Sequence, residues 1–81
     1  LEFRNLAADL IMSVLEEAGG NLDGERVASA DGWTAVLVKM PPAALGPVFI
    51  PRDMLVIEGD DEGTVRRTAD FMRRNLMRGG G

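Results

Sequence analysis

The stretch Glu25-Arg26-Val27-Ala28-Ser29-Ala30-Asp31-Gly32-Trp33-Thr34-Ala35-Val36-Leu37-Val38-Lys39-Met40 decides the fold. Two strand-like runs, 25–30 and 33–40, flank Asp31-Gly32, a dipeptide suited to the reversed backbone of a tight hairpin. Trp33 to Val38 is apolar at nearly every position. That pattern predicts a central strand covered on both sides, or on one side by a partner. Pro41-Pro42 should end it, because proline has no amide hydrogen for the ladder, and Ala43–Gly46 then reads as a loop. Beyond it, Val48-Phe49-Ile50 and Met54–Glu58 flank Pro51-Arg52-Asp53 as a second hairpin or as one bent strand with an edge proline.

Both flanks of this strand region read as helices. Phe3, Leu6, Ala7, Leu10, Ile11, Val14 and Ala18 recur at three- and four-residue steps, the period of a helix with one apolar face. Gly19-Gly20 supply the residue that ends it, and Asn21–Gly24 forms a loop. Met12 falls on the polar face and Leu15 at its edge. At the other end, residues 61–77 predict a helix with the stripe Val65, Ala69, Met72 and Leu76 buried, flanked by Thr68 and Phe71. The expected architecture is α+β, in the order α-β-β-β(-β)-α. It is a mainly antiparallel sheet of three or four strands with two terminal helices packed on it. Residues 1–81 make a single domain, with an ordered core over about 2–78 and a frayed Gly79–Gly81 tail.

Composition narrows the chemistry. The 81 residues are 46% apolar and 27% charged, an ordinary globular balance. A chain of this length buries only about 60–65% of its unfolded surface, so the core is thin. Cysteine and histidine are both absent. Their absence removes disulfides, thiolate zinc sites and the commonest general base and metal ligand. No apolar run reaches the ~18 residues of a membrane span. A reducing, cytoplasmic setting is therefore expected, with no membrane and no cofactor. The chain opens at Leu1 rather than Met, as a processed or excised segment would.

Charge is unevenly spread. Residues 1–63 carry twelve acids and four bases, and residues 64–81 carry five arginines and Asp70. On the last helix Arg66 and Arg73 share one line and Arg67, Arg74 and Arg78 another. This basic face admits three readings: a solvated outer face, a dock for an acidic protein surface, or a phosphate contact. The acidic run Glu58, Asp60, Asp61, Glu62 suits either a hard cation or the capping of the last helix. Neither it nor Asn21–Glu25 has the glycine and glutamate spacing of a calcium loop, so capping is the better reading.

Other reactive side chains offer little. Lys39, the only lysine, sits at a wet strand end, whereas catalytic lysines need desolvation. Ser13 and Ser29 have no base to activate them, and the glycines do not fall at phosphate-loop spacing. Trp33 is a core or an interface anchor.

The helix–strands–helix order, at this length, is similar to double-stranded RNA-binding domains. That family reads RNA with its first helix, a hairpin loop and a lysine-rich start to its last helix. Here the last of these is Asp60-Asp61-Glu62-Gly63, which repels phosphates, so the resemblance implies a fold and not RNA binding. The expectation is a non-enzymatic protein–protein interaction module that self-associates as a homodimer or docks another protein. Its candidate interface is Trp33, Val36, Val38, Val48, Phe49 and Ile50. The alternative is a nucleic-acid-contacting domain that uses Arg66, Arg67, Arg73, Arg74 and Arg78.

Overall fold

A computed structural model describes residues 1–76. Its elements are β1 (Glu2–Arg4), α1 (Ala8–Glu17), β2 (Asn21–Leu22), β3 (Val27–Ala30), β4 (Trp33–Leu45), β5 (Val48–Glu58) and α2 (Glu62–Leu76). The five strands form one sheet in the order β1-β5-β4-β3-β2, antiparallel at every pair. The α+β class and the antiparallel sheet with two helices agree with the sequence reading.

Residues 21–22, expected in a loop, form β2, and three further features differ from that reading. Phe3 does not belong to α1 but pairs with Asp53 from β1. Asn5, at φ 57°, turns the chain between strand and helix. With the helix starting at Ala8, its phase is set by residues 8–17 alone. Met12 and Leu15 then enter the core with Ile11 and Val14, while Leu10 faces solvent at 46% exposure. A wheel that counts Phe3 as the first turn is rotated relative to the helix that begins at Ala8.

The second difference lies at the prolines. β4 does not stop at Pro41-Pro42 but runs on to Leu45, with a bulge between Met40 and Ala43. β5 is likewise one strand through Pro51. Backbone pairing on the β3 side reaches Leu37 of β4, and β1 with its flanking residues lies along β5 from Pro51 to Leu55. Past those points the hairpin has open edges, where a missing amide hydrogen costs nothing. The reversal occurs at Gly46-Pro47 between the paired Leu45 and Val48. Gly46, at φ +61°, supplies the positive φ that the first central position of a two-residue hairpin turn needs. The result is a ribbon at one end of a molecule whose extents, ribbon included, are 43 × 27 × 19 Å.

The third difference is in α2, where Thr68 and Met72 are buried and Val65, Ala69, Phe71 and Leu76 are half-buried. The predicted stripe holds at Met72 and extends to the Thr68–Phe71 flank. Thr68 satisfies its hydroxyl by donating to Thr64 O at 2.9 Å. The expected frayed tail, Gly79–Gly81, and Arg78 lie outside the described residues.

The core is a single layer between the helices and one sheet face: Phe3, Ile11, Leu15, Ala28, Trp33, Ala35, Leu37, Leu55 and Met72. Gly20 packs closely into it: a Cβ there would lie 2.7 Å from Trp33 Cη2 and 2.9 Å from Leu15 O. Arg26 and Asp53 tie the layer together beneath β4. The Arg26 guanidinium donates to Asp53 Oδ1 at 3.0 Å and to Leu37 O at 3.2 Å.

Candidate interaction face

Alternation along β4 sends Trp33, Ala35 and Leu37 inward and Thr34, Val36 and Val38 outward. In β5 the buried residues are Asp53 and Leu55. Period-2 geometry then puts Val48, Ile50, Met54 and Val56 on the outer side. The register joins these into pairs: Val36 with Val56, Val38 with Met54, Ala43 with Ile50, and Leu45 with Val48. Val27 extends the row through its pairing with Val36. Both helices contribute to the core on the opposite face, so nothing in the described chain covers this one. Val36, Val38 and Val56 are about two-fifths exposed, and Leu45 and Val48 more than half. Val48 to Val56 spans eight residue steps, about 26 Å of strand.

Of the six candidate interface residues, Val36, Val38, Val48 and Ile50 do share this face. Trp33 does not: it is 6% exposed, held in the core against Gly20. Its flat ring fills the space that glycine leaves, so it is no interface anchor. Phe49 is 67% exposed, but alternation places it on the other side of the ribbon from Val48 and Ile50. It stands free because the ribbon runs beyond the helices. Met54, Val56 and Leu45 escaped the sequence reading. The available signal was the run Met54-Leu55-Val56-Ile57, apolar at every position like 35–38.

One charge interrupts the stripe. Arg52 donates to Pro41 O at 2.9 Å and reaches Glu2 Oε1 at 3.4 Å, while Glu2 Oε2 accepts from Arg4 at 2.7 Å. The bond from Arg4 is the main reason that the Glu2 carboxyl titrates below its ordinary range. Arg52 thus lies within the apolar row, between Ile50 and Met54, and shares the Glu2 carboxylate with Arg4.

The basic face of α2 is arranged differently from a phosphate-binding stripe. Arg66 pairs with Glu62 at 3.3 Å, Arg73 with Asp70 at 3.0 Å, and Arg67 lies 3.9 Å from Asp61. These arginines sit in local, exposed pairs along the helix, each contributing little energy. The acidic run resolves as a cap. Asp61 Oδ2 accepts from the Thr64 hydroxyl at 2.9 Å and from the Thr64 amide at 3.1 Å. These bonds, led by the hydroxyl, hold the Asp61 carboxyl below its usual range. No group of three or more Asp or Glu among the described residues is placed to hold a metal ion. No helix among them is long and apolar enough to cross a membrane.

The family described as "Archaeal MoaD-like protein" matches residues 1–81, so the chain belongs to that family. No curated protein matches it. By its family the chain ranks with small ubiquitin-like β-grasp proteins. Its own sheet is antiparallel at every pair. Membership of that family sits with the small α+β domain described above. It also replaces the likeness to RNA-binding domains, which rested on a helix-first order that β1 overturns.

Proposed function

We propose that this archaeal MoaD-like domain is a non-enzymatic protein–protein interaction module that self-associates through the outer face of its sheet. The observation that carries the reading is the stripe of Val36, Val38, Met54, Val56, Leu45 and Val48 left open while both helices pack on the other side. A monomer rarely leaves a contiguous apolar patch of more than a few hundred Å². The stripe is apolar at both ends, so two copies related by a two-fold axis can lay the Val36–Val56 end of one on the Leu45–Val48 end of the other. Association through the face is favoured over strand addition along the ribbon, because Pro41, Pro42 and Pro51 each remove a backbone donor from its strands. The non-enzymatic reading rests on a sequence without histidine or cysteine to act as base or nucleophile. The same composition supports a reducing, cytoplasmic setting.

Light scattering over a range of protein concentrations tests the reading. The expected result is a dimer at high micromolar protein that becomes a monomer on Val38→Lys plus Val56→Lys. Both positions are exposed, so the fold should survive. A wild-type monomer at that concentration would sink self-association and leave docking of a different protein.

A further inference from the structure

The opposite side of the molecule carries a second surface, a groove of about 360 Å³ between one flank of α1 and the edge strand β2. Met12 and Leu22 form its floor, and Asp9, Glu16 and Glu25 stand around it. None of the three carboxylates is in an ion pair among the described residues. Between Arg4 and Lys39 the chain has six acids and one base, Arg26, and that base is turned to Asp53 at 3.0 Å. The groove is therefore apolar below and uncompensated negative above.

The backbone beside it is open as well. Asp23 donates to Val27 O at 2.8 Å, and Leu22 pairs with Ala28. Hydrogen-bonded and non-bonded pairs alternate along an antiparallel ladder. Leu22 therefore points its own N–H and C=O away from β3, over the free edge. Neither group has a partner among the described residues. Its side chain lies on the side of the buried Ala28, toward α1.

We propose that this groove binds an extended segment of a partner protein that adds as a strand to β2, with an apolar residue opposite Leu22 and a lysine or arginine two positions to either side. Strand addition to an open sheet edge is a recurrent mode of peptide recognition, with alternate side chains read by the neighbouring groove. The dimensions agree. Asp9 and Glu16 are seven residues apart on α1, about 10.5 Å of helix rise. Side chains at i−2 and i+2 of a strand are separated by about 13 Å and point the same way as residue i. Two flexible basic side chains bridge that difference, and the apolar residue between them descends onto Met12 and Leu22. An acidic segment would meet like charge at both positions.

The test is a titration of the full chain with the peptide acetyl-Ser-Lys-Thr-Leu-Thr-Lys-Ser-amide, followed by backbone amide NMR. The expected result is saturable shifts confined to the α1–β2 flank, including Met12, Glu16 and Leu22. N-methylation of the peptide's central leucine, which removes the hydrogen given to Leu22 O, should weaken binding at least tenfold. So should Asp9→Lys with Glu16→Lys, two exposed positions whose replacement leaves the core untouched. The peptide with Glu in place of both Lys should not bind. The proposal is overturned if the peptide does not bind or shifts other residues. Equal affinity of the N-methylated or acidic peptide would overturn it too. Shifts of the same flank on concentrating the protein alone would make a second copy the occupant and also end the proposal. The groove lies on the helix side of the sheet, so its failure and that of the outer-face reading are separately visible.

Discussion

Replacing Arg26 by Met should destabilise the domain by about 2 to 3 kcal/mol. The guanidinium makes two hydrogen bonds at once, to Asp53 Oδ1 at 3.0 Å and to Leu37 O at 3.2 Å. Asp53 is 7% exposed, so its carboxylate would be left under β4 with its cation gone. Breaking a fully buried pair by removing one partner costs about 3–5 kcal/mol. Here the Arg26 side chain is 36% exposed, so water reaches the pair from that side and the lower figure applies. In a domain of this size the change corresponds to a fall of about 10–20 °C in Tm. Trp33 is the only tryptophan, and it is buried, so its fluorescence follows unfolding in urea directly. The cycle of Arg26→Met, Asp53→Leu and the double variant isolates the pair. The double variant should lose clearly less than the two single losses combined, with a coupling of about 1 kcal/mol or more. A coupling below about 0.3 kcal/mol would mean that the two groups are solvated independently and that the tie is not structural.

Three further outcomes follow from the structure. Met72→Asp should unfold the domain or lower Tm sharply, since Met72 is fully buried and the new carboxylate would have no partner; near-native stability would show that α2 is not packed as described. Gly20→Ala should destabilise by about 1–3 kcal/mol and shift Trp33 emission, because its Cβ would press on the ring at 2.7 Å; an unchanged spectrum and Tm would refute that contact. Asp61→Ala should lower Tm at neutral pH. The Asp61 pKa is depressed in the folded state, so its stabilisation is complete above the ordinary value of 3.8 and is lost as pH falls through the lower folded value; a Tm difference that persists unchanged at pH 2 would assign the effect to something other than the charged cap.

Much of the fold could be read in the sequence, and where it could not the reasons are local. The Asp31-Gly32 hairpin and the closing helix carried their own signals: turn residues between apolar runs, and a helical stripe ending in arginines. β1 carried none, because three residues are too few to show a period and Phe3 happened to fit the helical wheel. The continuation of β4 through Pro41-Pro42 was hidden for a different reason. A proline stops a strand only where its nitrogen faces a partner, and which edge is open is a property of the whole sheet. The same dependence on topology explains the interface residues. Val36 and Val38 were apparent as apolar positions facing away from the core, but Trp33 could be excluded only once Gly20 was seen beneath it. The groove by β2 was invisible in sequence, since it depends on which face of α1 meets the sheet edge.

The two surfaces divide the work of recognition by chemistry. On the outer face, Val36, Val38 and Val56 offer area without direction, so the energy available there is the removal of apolar surface from water and should change little with salt. On the α1–β2 flank the apolar floor is small, and selectivity comes from the Leu22 backbone and from Asp9 and Glu16. Binding there should weaken as salt screens those exposed charges, whose Debye length falls from about 10 Å at 0.1 M to about 3 Å at 1 M. The arginine helix adds to neither, because Arg66, Arg67 and Arg73 already meet carboxylates on their own helix or at its cap. A third prediction about binding follows from that local pairing. Duplex DNA or RNA should show no appreciable affinity at physiological salt, since a phosphate would have to displace an intrahelical carboxylate for each counterion it releases. Micromolar binding whose salt slope falls when Arg67 and Arg74 are both replaced by Ala would refute this, and would make α2 the working surface of the domain.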